Sequence, residues 1–223
     1  MNTSEEGYSI NSQVFERAEI VRVLEGLAHA DFVRTKAGAR HILQVPIVRE
    51  LASDQRLSDI AERFVSPAPV VFRATLFDKS PTSNWLVTWH QDTALPMKNR
   101  VNDPGWGPWS VKSGVLYAHA PAAALEAVVA LRVHLDDSTS SNGPLRVLPG
   151  THVRGVLTDD EVERLARQVA AVDCVAPSGG VVAMRPLTVH ASSKTGDGKP
   201  RRVLHIEYAA TVHIGAGVEL AVG

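Results

Sequence analysis

The sequence predicts a mainly β protein, a jelly roll or barrel with helices packed against its outside. Two observations carry that prediction. Apolar residues recur at helical spacing over the first third of the chain. The pattern then changes to short β-rich runs bounded by Pro, Gly, Asn and Asp. A chain of 223 residues is long enough to bury a proper core as one generous domain.

The helical part comes first. "QVFERAEIVRVLEGL" sets Val14, Ala18, Val21 and Leu24 to Leu27 near one stripe, with charges opposite. "VPIVRELASD" and "RLSDIAERFV" read as two shorter helices. Residues 1–66 are therefore expected to form a helical buttress, and 67–212 a β core, within a single domain spanning 1–223. The strand candidates are "PVVFRATLFDK", "NWLVTWHQD", "LEAVVALRVHLDD", "GPLRVLPGTH", "VDCVAP", "GGVVAMRPLTVHA" and "RRVLHIEYAA". One helix interrupts them. "TDDEVERLARQVA" opens with Thr158 and Glu161 in capping-box spacing and aligns Val162, Leu165 and Val169. Residues 93–122, rich in Pro, Gly and Trp, are long for a connection in a compact domain and are expected to form a lid-like insert.

Charge and composition narrow the function. The formal net charge is −1 and there is no Lys/Arg block, so neither nucleic acid nor an anionic membrane is indicated as a partner. The segment "MNTSEEGYSINSQ" is polar and acidic where a signal peptide is basic and then apolar. No apolar run approaches the roughly 18 residues of a membrane span. Cys174 is the sole cysteine, which excludes an internal disulfide and a zinc ribbon. A cytoplasmic location is expected.

"NWLVTWHQDTAL" carries a His and an Asp two positions apart in a run that reads as a strand. Alternation puts His90 and Asp92 on one face and Gln91 on the other. Two imidazoles and one carboxylate with open positions suit non-haem Fe(II). The pattern is cheap, because His29/Asp31, His134/Asp136 and His205/Glu207 share it. His29/Asp31 falls at a helix end, and His205/Glu207 has only His213 beyond it. His134/Asp136 lies on a good strand and remains a rival. His190, ending "GGVVAMRPLTVHASS", is the best distal ligand. Arg201 follows eleven residues later, and its guanidinium can grip a carboxylate through two parallel hydrogen bonds. Only one of Arg201 and Arg202 can face a pocket, because side chains alternate. The residues alone leave both metal sites open, beside a reading in which they are satisfied core or rim residues.

Three motifs in order, "WHQDTAL", "SNGPLRVLPGTH" and "MRPLTVHASS" followed by "PRRVLHIEY", resemble the phytanoyl-CoA dioxygenase family of Fe(II)- and 2-oxoglutarate-dependent oxygenases. The likeness covers roughly residues 70 to 210. It implies a double-stranded β-helix, a cupin-like jelly roll with helices buttressing one sheet. It implies His90, Asp92 and His190 as iron ligands, and Arg201 as partner of the distal carboxylate of 2-oxoglutarate. Gln91 matches a position that can touch that co-substrate, and Ser192 is a polar neighbour of it where the family's asparagine is lacking. "NGPLRVLPGTH" becomes a hairpin bordering the site, its Asn142–Gly143 turn explained by positive-φ chemistry, and His134 becomes a residue that can line the pocket. The implied reaction consumes O2, hydroxylates a small molecule and releases succinate and CO2. The alternative is a cupin-like metal-binding protein or an iron enzyme that does not use 2-oxoglutarate. The carboxylate of Asp92 favours hydroxylation or desaturation over halogenation.

The chain departs from the family pattern in three places. It is short, which puts the substrate-recognising elements of 93–122 in question. "ASSKTGDGKP" lacks the asparagine common after the distal histidine, and Arg132 stands where relatives can carry an aromatic. On the substrate side the candidates are Trp85, Trp89, Trp106 and Trp109 for an apolar wall, Lys98, Arg100 and Lys112 for an anionic substrate, and His119. Arg73 and Lys79 add positive charge near the co-substrate.

Overall fold

The computed structural model describes residues 3–35, 38–80, 83–196, 198–215 and 217–223. In chain order, α1 (Thr3–Glu6) leads into β1 (Tyr8–Asn11), α2 (Arg17–His29), β2 (Gly38–Arg40), α3 (Pro46–Ala52) and α4 (Gln55–Glu62). Then come β3 (Val70–Lys79), β4 (Val87–His90), β5 (Ala94–Met97), β6 (Trp109–Lys112) and β7 (Val115–His119). α5 (Ala122–Glu126) precedes β8 (Val128–His134), β9 (Leu145–Val147), a 3-10 turn at Thr151–Arg154 and α6 (Asp159–Gln168). β10 (Val172–Cys174), β11 (Val181–Met184), β12 (His190–Ser192), β13 (Arg201–Ala209), β14 (His213–Gly215) and β15 (Val218–Glu219) follow.

A six-stranded sheet in the order β1-β11-β8-β13-β3-β2 packs against a four-stranded sheet in the order β10-β9-β12-β4. Every pairing is antiparallel. The architecture is the double-stranded β-helix. The large sheet is two-faced because its strands alternate. Leu204, Ile206 and Tyr208 of β13, Val129, Leu131 and Val133 of β8, and Ala74 and Leu76 of β3 face outward into one apolar cluster with the helices. Each large side chain buried there is worth about 1.5–3 kcal/mol. That stabilisation offsets the cost of the opposite face, where β13 and its neighbours bury Arg73, Lys79, Arg132, Arg201, His205 and Glu207.

The helices cover the apolar face as their sequences require. In α2 the buried stripe is Ile20, Val23 and Leu27. The expected stripe is corrected: Ala18 and Val21 are exposed, while Val14 and Leu24 pack only at the cluster's edge. One position along a helix rotates the face by about 100°, so Ile20 and Val23 replace Val21. α3 begins with Pro46, which lacks the donor that a first turn leaves unused. α4 starts at an N-cap, Asp54, whose carboxylate accepts from Arg56 N at 2.9 Å. α6 has the capping box read from sequence, with Thr158 N donating to Glu161 Oε2 at 2.8 Å, and it buries Val162 and Leu165.

Two regions contain more β structure than their patterning announces. Tyr8–Asn11 extends the large sheet by pairing with β11, so the N-terminal part adds a strand to its helices. Within residues 93–122, β5, β7 and β6 form a three-stranded sheet of their own. Among the described residues no helix is long and apolar enough to cross a membrane.

Candidate active site

β4 and β12 are antiparallel neighbours, and their register puts His190 opposite His90. Directly opposed residues project from the same face, so the two imidazoles meet with ring centroids 4.2 Å apart. Asp92 lies two residues beyond the end of β4, where its backbone N–H donates to Pro186 O at 3.0 Å. That anchor turns the carboxylate back between the rings. Asp92 Oδ1 is 3.6 Å from His90 Nε2, and Asp92 Oδ2 is 3.5 Å from His190 Nε2. One ligand atom from each of the three residues lies within 4.8 Å of the others, the single such grouping among the described residues.

The tautomers are set from behind. His90 Nδ1 donates to Thr88 O at 2.8 Å, and His190 Nδ1 donates to Thr188 O at 2.9 Å. A carbonyl only accepts, so each Nδ1 carries the proton and each Nε2 lone pair faces the centre, as a metal-ligating histidine requires. Burial pushes the His190 imidazole down to about 4, which keeps it neutral. Desolvation opposes ionisation of Asp92, but His190, His90 and His205 outweigh it and hold the carboxyl well below the usual range. A neutral imidazole beside an ionised carboxylate is a donor set for a divalent cation.

The cavity that opens onto these residues has a volume of about 420 Å3. At its inner end Arg201 and Lys79 stand directly opposite each other on β13 and β3. They are 2% and 1% exposed, with no carboxylate partner among the described residues. Like charges facing across a ladder repel, and neutral oxygens hold them instead. Ser192 Oγ accepts from Lys79 Nζ at 2.8 Å and from Arg201 Nη2 at 3.1 Å. Ser193 O accepts from Lys79 Nζ at 2.6 Å, and Asn142 O from Arg201 Nε at 3.3 Å. Arg201 Nη1 and Arg132 Nε are buried without a partner. Burial, then Arg201 and Arg132, push the Lys79 ammonium down to about 7. Burial and Arg132 also lower Arg201, which as a guanidinium stays charged. The end of the cavity is a positive socket with donors to spare.

The "SNGP" turn builds this socket. Asn142 fixes the loop by accepting from Thr139 N at 2.9 Å and donating to Asp137 O at 2.7 Å. Gly143 has φ 68°, and a side chain there would strike the carbonyl of Ser193. That close approach lets Ser192 Oγ donate to Gly143 O at 3.0 Å. The turn does more than border the site: its Asn142 carbonyl holds Arg201 directly, and its Gly143 carbonyl holds Ser192, which in turn accepts from Lys79.

The structure separates the remaining candidates. Arg202 points outward and forms a two-pronged pair with Asp136, leaving Arg201 as the arginine that faces inward. The same pairing dismantles the rival site: Asp136 serves Arg202, while His134 is fully buried with neither ring nitrogen partnered and lies outside the cavity lining. Gln91 lines the cavity, but its amide serves backbone groups. Nε2 donates to Gly155 O and Leu187 O at 2.9 and 2.7 Å, and Oε1 accepts from Leu157 N at 2.8 Å. Of the tryptophans, Trp85 lines the cavity, whereas Trp106 is core and Trp89 packs beside α6. Lys98 pairs with Glu219 and Arg100 lies over Trp109, so Lys112 alone of those three cations reaches the lining. His119 reaches it too, bonded to Thr93 Oγ1 at 2.7 Å. Arg73 pairs with buried Glu207 and donates to Tyr117 Oη at 3.1 Å. Arg132 donates to His205 Nδ1 at 3.2 Å. Arg40 also lines the cavity; the sequence does not announce it, because a three-residue strand carries no patterning signal.

The sequence matches the model of the family described as phytanoyl-CoA dioxygenase over residues 4–203. The chain belongs to that family. Among curated relatives of this phytanoyl-CoA dioxygenase family member is the L-proline trans-4-hydroxylase of Streptomyces griseoviridis, 28% identical over 178 residues, covering 68% of this chain and 59% of that one. The match therefore spans less than two thirds of that relative's length. Solved structures share the fold. EctD from S. alaskensis, determined with 2-oxoglutarate and 5-hydroxyectoine, superposes with a TM-score of 0.72 at 20% identity, covering 94% of this chain and 74% of that one. AviO1 from Streptomyces viridochromogenes Tue57 gives a TM-score of 0.67 at 23% identity, covering 93% and 91%.

Proposed function

We propose that this phytanoyl-CoA dioxygenase family member is an Fe(II)- and 2-oxoglutarate-dependent dioxygenase that hydroxylates a small organic molecule. His90, Asp92 and His190 would hold the iron. Arg201 and Lys79, bridged by Ser192, would hold the distal carboxylate of 2-oxoglutarate. The observation that carries the reading is the buried, opposed Lys79–Arg201 pair beside a two-histidine, one-carboxylate cluster. Two like charges in the interior without a counter-ion call for an anion. A cupin-like iron protein that dispenses with 2-oxoglutarate would have no use for that socket.

When bound, iron and 2-oxoglutarate supply O2 activation, with succinate and CO2 released and hydroxyl delivered to substrate. The protein's own share is placement. Thr88 O and Thr188 O aim the imidazoles, Pro186 O anchors Asp92, and Arg201 fixes one end of the co-substrate. Gln91 acts as a positioning residue that ties the turn at Gly155–Leu157 to Leu187 below the ligands. Its amide has no spare donor for the co-substrate, which revises the contact expected of it. The curated relative named for L-proline hydroxylation, and the EctD structure holding 5-hydroxyectoine, support a small polar substrate. A cytoplasmic setting with a supply of 2-oxoglutarate fits the same reading. The test is succinate release from purified protein given Fe(II), 2-oxoglutarate and O2. The reading predicts turnover that a chelator abolishes and Fe(II) restores; no succinate above a no-protein control under saturating conditions would contradict it.

A further inference from the structure

The cavity has a second positive end that 2-oxoglutarate does not account for. At its mouth Arg40, from β2, and Lys112, from the end of β6, reach the lining from unrelated elements. Neither has an ion-pair partner among the described residues. Tyr117 lines the cavity with them, buried to 1% exposure. Lys112 Nζ lies 5.1 Å and Arg73 Cζ 5.5 Å from its ring centroid. Lys112 is lowered by desolvation and then by Arg40 and Arg73, while the charge of Asp92 also reaches it. The cationic mouth and the metal cluster are thus within electrostatic range of each other.

Charge balance sharpens the point and rests on the function proposed above. A ferrous ion, the Asp92 carboxylate and a doubly charged 2-oxoglutarate carry one net negative charge between them. Arg132, Arg201 and Lys79 already face that charge, and Glu207 neutralises Arg73. Nothing remains for the mouth. We infer that the substrate carries an anionic group, a carboxylate or a phosphate, seated between Arg40 and Lys112 against Tyr117. The group to be oxidised then extends inward towards His90 and Asp92. Arg40 and Lys112 are specificity-determining residues in this assignment, because a cleft lined by one sign of charge concentrates ligands of the other.

The test is anaerobic calorimetry on protein loaded with Fe(II) and 2-oxoglutarate, the loading confirmed by its visible charge-transfer band. Butyrate, butyramide and butyl phosphate are the probes. Butyrate or butyl phosphate is expected to bind at one site and butyramide about tenfold more weakly or not at all; the tighter of the two anions assigns carboxylate or phosphate. Arg40→Gln/Lys112→Gln is expected to weaken anion binding about tenfold while the band persists, and Lys112→Gln alone about threefold. Equal binding of butyramide, anion affinity unchanged in both variants, or no anion binding by protein that shows the band would overturn the inference alone. Absence of the band from the wild-type protein would overturn the function beneath it.

Discussion

His90–Gln91–Asp92 and His134–Leu135–Asp136 have the same spacing, and in both the histidine ends a strand, yet only the first pair converges. The difference lies in the neighbours. Opposite His90 on β12 stands His190, and Pro186 O holds the backbone of Asp92 so that its carboxylate faces both rings. Opposite His134 on β13 stands Val203, and Asp136 turns outward to Arg202. A His-x-Asp motif becomes a donor set when the adjacent strand delivers a second imidazole. Otherwise it is one buried ring and one rim ion pair.

The largest effect should come from breaking the first pair. His90→Ala, Asp92→Ala or His190→Ala is expected to cost Fe(II) affinity more than the roughly 10- to 100-fold that outer-shell losses cost. His134→Ala should leave it unchanged, as read by calorimetry or retained metal. Next in size is the contrast between neighbouring arginines. Arg201→Leu leaves Lys79 alone on its rung of the ladder and, on the proposed function, should weaken 2-oxoglutarate by about 2–5 kcal/mol. Arg202→Leu removes a half-exposed surface pair and should leave the co-substrate KM alone.

A smaller, pH-dependent effect follows from Lys79. Its folded pKa is depressed to about 7, so between there and its ordinary value the unfolded chain binds more protons. Stability from this group therefore rises with pH across that window and is lost as pH falls through about 7. Denaturant titrations of wild type and Lys79→Met should differ by that slope. Bound 2-oxoglutarate should restore the charge, so at pH 8 binding takes up a proton, measurable in buffers of different ionisation enthalpy. The smallest effect is expected at the rival histidine. Burial, then Arg132 and Arg201, hold the His134 imidazole down to about 3, and its ring nitrogens lack partners. His134→Leu should leave the melting temperature equal or higher.

Much of this was legible in the sequence. The strand runs and α6 with its capping box follow from local chemistry; the residues alone leave the His90/Asp92 and His134/Asp136 sites both open, and it is the family resemblance that singles out the order His90, Asp92, His190, Arg201. Which of Arg201 and Arg202 faces inward needed the register of β13, since alternation alone permits either. The phase of α2 failed by one residue because Val21 and Ile20 are equally apolar, and only the packing surface chooses between them. β1 and β2 are short edge strands whose pairing is dictated by distant partners. Lys79, named only as nearby charge, became half of the socket because residues far apart in the chain, 79 and 201, share a rung of the ladder. The carbonyls of Asn142 and Gly143 carry no side-chain signal at all.

The most direct measurement is an anaerobic titration of the apo-protein with Fe(II) and then 2-oxoglutarate, following the visible charge-transfer band in wild type, His90→Ala and His134→Ala. A band in wild type and His134→Ala that is lost in His90→Ala is the predicted result. A band that survives in His90→Ala and disappears in His134→Ala would contradict the account.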